Sequence, residues 1–577
     1  MTQWPEKIFV WIGATAQGSL RRAACFLLAV AFVLPSAMLA SERSPETAAV
    51  ATSHPIATRI GIEILQQGGN AFDAAVAVAA VLSVVEPHRS GLGGGGFWLL
   101  HRAEDGFQTV IDARETAPLA ATGEMYRDND GNVRRGSSTS GPLAAGIPGE
   151  AAGMAFIAEK YGRLTLSENL APAIRQAREG FAVYSHYLDG LGRKLELMRG
   201  YPAAAESFLD QGDIPQAGFI IRQPDLARTL IALAERGHTG FYRGEVASKL
   251  VAGVKKDGGI WTLEDLARYT IKEREPVIGT SRGTRIVSTP PPSAGGVMLI
   301  NSLNILSGYD LTAVSEIERK HLLAETLRRS FRDRAVYLGD PDFVEMPLEL
   351  LMHPYYAAGQ RTTIRLDQAT PSATLTGRLP ETQKGIQTTH YSIMDAEGNR
   401  AAASLSLNFW FGSGYVVPDT GVLLNNQMND FAIQPGVPSG FGLLGFTANE
   451  IEPGKRMLSS MAPTFLESDR GVAILGTPGG SRIVSMILLA TLAWHEGATA
   501  TEMVTLPRFH HQYMRDEIFF EPGALSNAEI AALEQKGHAL RESSRPYGNM
   551  QVITWDFATG EVEAASDPRG TGDVLVY

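Results

Sequence analysis

The sequence predicts an α+β fold in which sheets lie between helical layers, and three observations predict it. Apolar residues recur at helical spacing through most of residues 149–338. From Thr388 onward the period shortens to two, in short apolar runs bounded by Gly, Pro, Asp and Asn. Strand-like runs also stand near the start, at residues 97–101 and 109–113, so strands flank the helical part on both sides. That order suits sheets covered by helices.

The first segment is a leader. Arg21-Arg22 precede an apolar run over residues 23–34, followed by Pro35-Ser36-Ala37-Met38-Leu39-Ala40 and the polar Ser41-Glu42-Arg43. These are the charged, apolar and small-residue parts of a secretory signal, so residues 1–40 are expected to be a signal peptide and the protein periplasmic or extracellular. Met38 stands where a small residue is preferred, which leaves a non-cleaved membrane anchor as the competing reading, although the run is short for a span and is broken by Pro35. After signal removal no stable membrane insertion is expected.

A helix is expected over residues 54–67, stopped by Gly68-Gly69-Asn70, and a second over residues 71–85 that is nearly all Ala, Val and Leu and therefore buried. Gly91-Leu92-Gly93-Gly94-Gly95-Gly96 formally matches a dinucleotide-binding loop. That loop requires a strand before it and a helix after it, and here the order is reversed. The glycines instead suit a close approach of backbone to backbone or to a ligand. Strands 97–101 and 109–113 are joined at Glu104-Asp105-Gly106 and lead to Arg114, either a solvated charge or a bidentate partner for a carboxylate. Helices follow at 150–161, 167–179, 224–236, 244–255 and 316–337, interrupted by the Pro290-Pro291-Pro292-Ser293-Ala294-Gly295-Gly296 loop, which alone reads as a rigid turn. Residues 339–385 read as irregular and polar. Beyond them come strands at 390–394, 401–407, 416–417, 421–424, 464–466 and 472–475, helices at 482–495 and 526–536, and strands at 550–555 and 574–577.

Composition narrows the chemistry. The chain has 577 residues, 44% hydrophobic and 20% charged, with a net charge of −11. An acidic balance without a basic, aromatic-bearing block argues against nucleic acid as a partner. The single cysteine, Cys25, lies in the leader, which removes disulfides, thiolate metal sites and a cysteine nucleophile from the mature chain. His510-His511 are adjacent and cannot point the same way on a regular element, and no HExxH is present, so neither metal nor cofactor is expected. What remains is hydroxyl, amine and carboxylate chemistry. Thr388 stands between a polar loop and a strand, in Gln387-Thr388-Thr389-His390-Tyr391-Ser392. A threonine there often only begins a strand. If the chain is cut just before it, the same residue carries both a nucleophilic hydroxyl and an α-amine to act as base.

The loops taken together resemble the gamma-glutamyltransferase family of N-terminal nucleophile hydrolases. The resemblance spans nearly all of the chain after the leader. It rests on Gly68 to Ala75, Leu92-Gly93-Gly94-Gly95-Gly96-Phe97, Asp112-Ala113-Arg114-Glu115-Thr116-Ala117-Pro118 and Tyr337-Leu338-Gly339-Asp340-Pro341. It continues through Thr388-Thr389-His390-Tyr391-Ser392, Leu424 to Phe431, Leu458 to Thr464, Gly476 to Arg482 and Pro507-Arg508-Phe509-His510-His511-Gln512. The resemblance implies an αββα sandwich of two stacked, mainly antiparallel sheets built from both products of a self-cleavage at Gln387–Thr388. Residues 41–387 would form a helix-rich large subunit, residues 388–577 a small catalytic subunit, and the two would remain a heterodimer. Thr388 would be the nucleophile, with Ser406, where many relatives have Thr, orienting its amine. Gly479 and Gly480 would form the oxyanion hole. Arg114, with Ser459 and Ser460, would hold the α-carboxylate of a γ-glutamyl group, and Asp430 its α-ammonium, helped by Asn408 and Gln427. The implied substrates are glutathione and related γ-glutamyl amides, with water, amino acids or peptides as acceptors.

Two departures bear on specificity. Phe409-Trp410 replaces the small polar pair of many glutathione-active relatives, and bulky rings there are expected to narrow the pocket. Phe441 stands where some bacterial relatives have a gating Tyr, in a loop expected to act as a lid. The rival readings are a glutaryl or cephalosporin-side-chain amidase of the same family, which Asp430 argues against, and an uncleaved, catalytically silent envelope or binding protein.

Overall fold

The computed structural model describes residues 44–134, 136–376, 388–437 and 443–577. The predicted leader, Gln387 and Phe441 lie outside the described residues. Thirteen strands build two large sheets. In chain order they are β1 (Ala49–Thr52), β2 (Gly95–His101), β3 (Gln108–Ala113), β4 (Lys272–Arg274), β5 (Val277–Ser281), β6 (Thr284–Ser288) and β7 (Thr389–Met394). They continue with β8 (Arg400–Ser406), β9 (Thr464–Ser468), β10 (Gly471–Gly476), β11 (Gln551–Asp556), β12 (Val562–Ser566) and β13 (Asp573–Val576). The first sheet runs β13-β1-β7-β8-β2-β3-β4 and the second β12-β11-β10-β9-β6-β5. Every neighbouring pair in both is antiparallel.

Alternation along each strand assigns the layers. Ala49, Ala51, Phe97, Leu99, Val110, Met394 and Ala402 face the second sheet, sharing a core with Val287, Phe465 and Ile474. Their neighbours Val50, Trp98, Leu100, Ile111, Ile393, Ala401 and Ala403 face the opposite way, onto the helices α1 (Pro55–Gln66) and α2 (Ala71–Val85). With both faces covered, β7 and β8 are buried along their whole length. α2 is buried throughout, as its all-apolar sequence requires, and starts in a capping box between Asn70 and Asp73. Helices α3 (Gly295–Leu306), α4 (Glu316–Tyr337) and α5 (Ile483–His495) contribute to the second core. The result is a four-layered αββα sandwich.

Helical spacing dominates residues 149–338 in the sequence, but the span is not helical alone. β4, β5 and β6 lie inside that span, and β5–β6 is a hairpin turning at Arg282 (φ 48°) and Gly283 (φ 77°). Residues 277–288 had a legible hairpin signal, β-branched runs on either side of Arg-Gly, but charged Lys272, Glu273, Arg274 and Glu275 masked it. α3, which follows the proline loop directly, was not singled out, and residues 339–385 contain the short helices Leu348–Leu351, Pro354–Arg361 and Ala373–Thr376.

The run of glycines before β2 behaves as its composition requires. A Cβ on Gly93 would lie 2.0 Å from the Leu423 carbonyl oxygen, and one on Gly94 would lie 2.3 Å from that of Ser406. Backbone therefore packs directly on backbone where these loops meet.

Between the sheets, His390 fills the space opposite Gly476. Its ring bonds to Ser404 Oγ (2.9 Å) and Ser392 Oγ (3.3 Å), and burial lowers its pKa to about 3, so it stays neutral. A Cβ on Gly476 would sit 2.1 Å from His390 Cε1. Gly476→Ala is expected to destabilise the fold by about 1–3 kcal/mol through overpacking, read as a lowered thermal-unfolding midpoint. An unchanged midpoint would show that the sheets can separate locally at no cost.

Candidate active site

Thr388 stands at the head of β7, 4% exposed, with its Oγ1 3.4 Å from Ser406 Oγ. The residue behind it is anchored: Thr389 Oγ1 lies 2.9 Å from Glu86 Oε2 and 2.7 Å from Ser53 Oγ. Ser406 ends β8, and its Oγ accepts from Asn408 N (2.8 Å). Asn408 adopts φ 80°, a conformation costly for a non-glycine residue, and its Nδ2 donates to Asn426 O (2.9 Å).

Arg114, wholly buried at the end of β3, is held at several points. Its N–H donates to Asp112 Oδ1 (2.9 Å), its carbonyl accepts from Tyr269 OH (2.8 Å), and its Nε donates to Met457 O (3.1 Å). Its Nη2 donates to Asp430 Oδ2 at 2.5 Å, and Nη1 lies 3.4 Å from Glu115 Oε2. Asp430 comes from the 3-10 turn Gln427–Asp430. Asn425 docks this turn onto the glycine loop: its Nδ2 donates to Gly93 O (2.7 Å) and Gly146 O (2.8 Å), and its Oδ1 accepts from Gln427 N (2.9 Å). Burial pushes the Asp430 carboxyl above its ordinary value, against the pull of the Arg114 and Arg334 cations. Burial likewise raises Glu115 to about 7, with Arg114 opposing.

Nine residues expected from the sequence line one cavity: Arg114, Thr388, Ser406, Asn408, Gln427, Asp430, Ser459, Ser460 and Gly480. The cavity is open to solvent and spans about 330 Å³ with the solvent at its mouth included. Gly479 (φ 152°) immediately precedes Gly480 (φ 58°) at the turn into α5. The proline loop is more than a turn, because Ser459 N donates to Pro292 O (2.7 Å) and Ser293 Oγ to Met461 O (2.5 Å). Ser460 Oγ and Gln427 Oε1 are buried with no hydrogen-bond partner among the described residues.

Two outcomes differ from expectation. Neither Phe409 nor Trp410 is among the described residues that line the cavity. Trp410 instead turns into the helical layer, stacked on His88 at 5.3 Å and against Gly190. Arg334, which the sequence reading passed over, does line the cavity. It sits in the last turn of α4, 4% exposed, and burial lowers its pKa to about 10. The run Arg328-Arg329-Ser330-Phe331-Arg332-Asp333-Arg334 reads as a solvated face. Its closeness to the Tyr337 to Pro341 motif was the available signal.

His321, Glu325 and His538 come close enough together to be considered for a metal. Their donor atoms are already engaged. Glu325 accepts from Arg329 Nη1 (2.6 Å), Thr370 N (3.0 Å) and Arg328 Nε (3.2 Å), and the two imidazoles bond to each other at 2.8 Å. The cluster fastens residues 363–372 to α4.

Chemically, the cavity combines two guanidinium groups, one carboxylate and several hydroxyls around a threonine at a strand end. Such a set suits a small zwitterion with a reactive carbonyl. The two stacked sheets between helices, with this threonine at the head of a central strand, define an N-terminal nucleophile hydrolase fold. The chain belongs to the gamma-glutamyltranspeptidase family, whose model matches residues 57–577. It is 43% identical over 497 residues to a glutathione hydrolase proenzyme of Pseudomonas sp. strain A14, covering 85% of this chain and 86% of that protein. To the glutathione hydrolase proenzyme of Escherichia coli K12 it is 39% identical, covering 91% of each. Among solved structures it is similar to a cephalosporin acylase from Bacillus halodurans, with a TM-score of 0.81 at 28% identity, covering 94% of this chain and 99% of that one.

Glu150, at the start of the helix Glu150–Tyr161, is fully buried near this site, and its Oε2 accepts from Gly91 N at 3.3 Å. Burial raises its pKa to about 8. A carboxyl raised in the folded state contributes stability below its unfolded pKa of about 4.5 and loses it as pH rises through the folded value. Glu150→Gln keeps the acceptor for Gly91. It is expected to gain thermal stability relative to the parent as pH rises from 5 to about 8. Parallel melting curves across that range test this, and a constant gap would mean Glu150 is already ionised.

Proposed function

We infer that the protein is a self-processing γ-glutamyl hydrolase and transferase acting on glutathione-like amides. The observation that carries this reading is the Arg114–Asp430 pair at 2.5 Å in the cavity that holds Thr388. A γ-glutamyl group presents an α-carboxylate and an α-ammonium side by side, and it can replace that ion pair with two complementary ones. Ser460 Oγ and Gln427 Oε1, without partners among the described residues, supply a donor and an acceptor for the same group. Arg334 adds a second cation to the cavity, within electrostatic reach of Asp430.

Cleavage of Gln387–Thr388 divides the chain into residues 41–387 and 388–577 and exposes the Thr388 α-amine. An α-amine has a pKa of about 7.7–8, so a useful fraction is free base near neutrality. The amine takes the hydroxyl proton as Oγ1 attacks the γ-carbonyl carbon. The N–H groups of Gly479 and Gly480 make no backbone hydrogen bond among the described residues, and they receive the oxyanion. Collapse breaks the amide C–N bond, and the Thr388 ammonium protonates the departing amine. Water or an acceptor amine then opens the γ-glutamyl ester by the same steps in reverse. Ser406 keeps the reacting hydroxyl and amine in register. The leader supports export to the periplasm or beyond. Among the described residues no helix is long and apolar enough to cross a membrane.

Thr388→Ala is expected to remain one chain and to lose turnover of γ-glutamyl anilide by at least about a thousandfold. Two chains with residual activity would move the nucleophile elsewhere. The parent is expected to prefer γ-glutamyl over glutaryl anilide, which lacks the α-ammonium, by about 10-fold or more in kcat/KM. Asp430→Asn is expected to shrink that preference. Faster glutaryl cleavage by the parent would favour the acylase reading, to which the 36% identity with the acylase ACY 1 proenzyme of Pseudomonas sp. strain SE83 also points.

A further inference from the structure

The turn carrying Gly479 and Gly480 is unusual backbone, with φ of 152° and 58°. Pro478 and the bond from Arg482 N to Gly479 O (3.2 Å) restrain its ends, but two adjacent glycines are the least restrained pair available. Further restraint comes from the segment His510-His511-Gln512, which the catalytic proposal leaves unused. Ser481 Oγ donates to Gln512 Oε1 at 2.7 Å, and His510 Nε2 lies 2.9 Å from the same oxygen. His510 Nδ1 lies 2.6 Å from Ser485 Oγ, in the first turn of α5. Gln512 Nε2 donates to Met514 O at 2.9 Å.

These contacts set the tautomer of His510. The Gln512 amide cannot be reversed, since its nitrogen serves the Met514 carbonyl. Its oxygen is therefore an acceptor only, so His510 carries its proton on Nε2 and presents a lone pair at Nδ1, to which Ser485 donates. Burial keeps this imidazole neutral, its pKa lowered to about 3. Ser481 is 6% and His510 3% exposed, and His510 is seated in the strand Phe509–His510, paired with Phe519. The glycine turn is thus tied on its C-terminal side to a rigid strand through one amide oxygen.

We propose that Gln512 and His510 are positioning residues that hold the Gly479–Gly480 N–H groups in line with the developing oxyanion, acting through Ser481 and Ser485. The proposal rests on the acyl-transfer reading of this site. Donors misplaced by a fraction of an ångström still admit the flat ground-state carbonyl and lose strength against the tetrahedral oxyanion. The network should therefore act on kcat and leave KM largely alone.

The test compares the self-processed parent with Gln512→Met, Gln512→Glu, Ser481→Ala and the Gln512→Met/Ser481→Ala double variant. The substrate is whichever of γ-glutamyl and glutaryl anilide the parent turns over. For Gln512→Met the expected result is a kcat lower by about 10- to 100-fold with KM within about twofold. Gln512→Glu, whose protonated form keeps both a donor to Met514 O and an acceptor for Ser481 and His510, should recover most of that loss. The double variant should be no worse than the poorer single one, because both break the same tie. Unchanged kcat in Gln512→Met, losses that multiply, or a rise in KM with kcat intact would overturn the proposal. If Gln512→Met fails to fold, Ser481→Ala and Gln512→Glu decide by the same kcat-to-KM split. An inactive parent would count instead against the acyl-transfer reading, so the two failures are distinguishable.

Discussion

The structure around residue 388 depends on keeping two opposite charges, Arg114 and Asp430, out of water without leaving either unpaired. Desolvating an ion costs several kcal/mol, recovered only when geometry and hydrogen bonding are good. The surroundings supply both. Asp112, Tyr269 and Met457 O fix Arg114 from three sides, and Asn449 Nδ2 donates to the Asp430 carbonyl at 2.8 Å. Asn425 ties the loop before Asp430 to the glycine run, which can approach only because Gly93 and Gly94 lack a Cβ. A ligand that offers both charges in one small group inherits a frame already assembled. Under the proposed γ-glutamyl reading, a ligand with only one would leave a buried ion exposed to the full desolvation penalty, and the pocket would discriminate on that basis.

Much of the fold was legible because burial leaves a simple record in sequence. α2 admits only small and apolar residues because it is enclosed on every side, and its extent from Ala71 to Val85 could be read directly. The helix Glu316–Tyr337 announces its start through the Ser315 capping box with Glu318. Strands β4 to β6 were hidden because they sit toward sheet edges, where Lys272, Glu273 and Ile278 face water and the alternation is diluted. The site residues were reached through motifs rather than periodicity, and these cover the loops, not the helices that back them. Arg334 is the example: four arginines in seven residues resemble a wet face, and only the third dimension shows Asp430 within electrostatic reach of Arg334. The position of Trp410 was equally hidden, since whether a loop ring turns inward or outward depends on a partner, His88, more than three hundred residues away.

Several buried titratable groups are set by desolvation. Glu115 and Glu150 are raised by burial, while His390 and His510 are held neutral by it. Such groups weaken a fold that could have used apolar side chains instead, and they are tolerated where they orient something. Asn408 holds backbone strain beside the cavity. Rigidity around the cavity is therefore assembled from hydrogen bonds of defined direction rather than from close packing alone.

Four of the antiparallel ladders join strands that lie on opposite sides of residue 388: β1 with β13, β1 with β7, β8 with β2, and β9 with β6. In a chain divided there, this changes the molecularity of folding. The intact polypeptide assembles its sheets in a first-order process, every partner being tethered to every other. Once divided, two unfolded fragments must meet before any of these ladders can form, and renaturation becomes second order in protein. At low concentration, unfolding is then one-way, and the working lifetime of the molecule is set by how slowly it opens rather than by how favourably it closes.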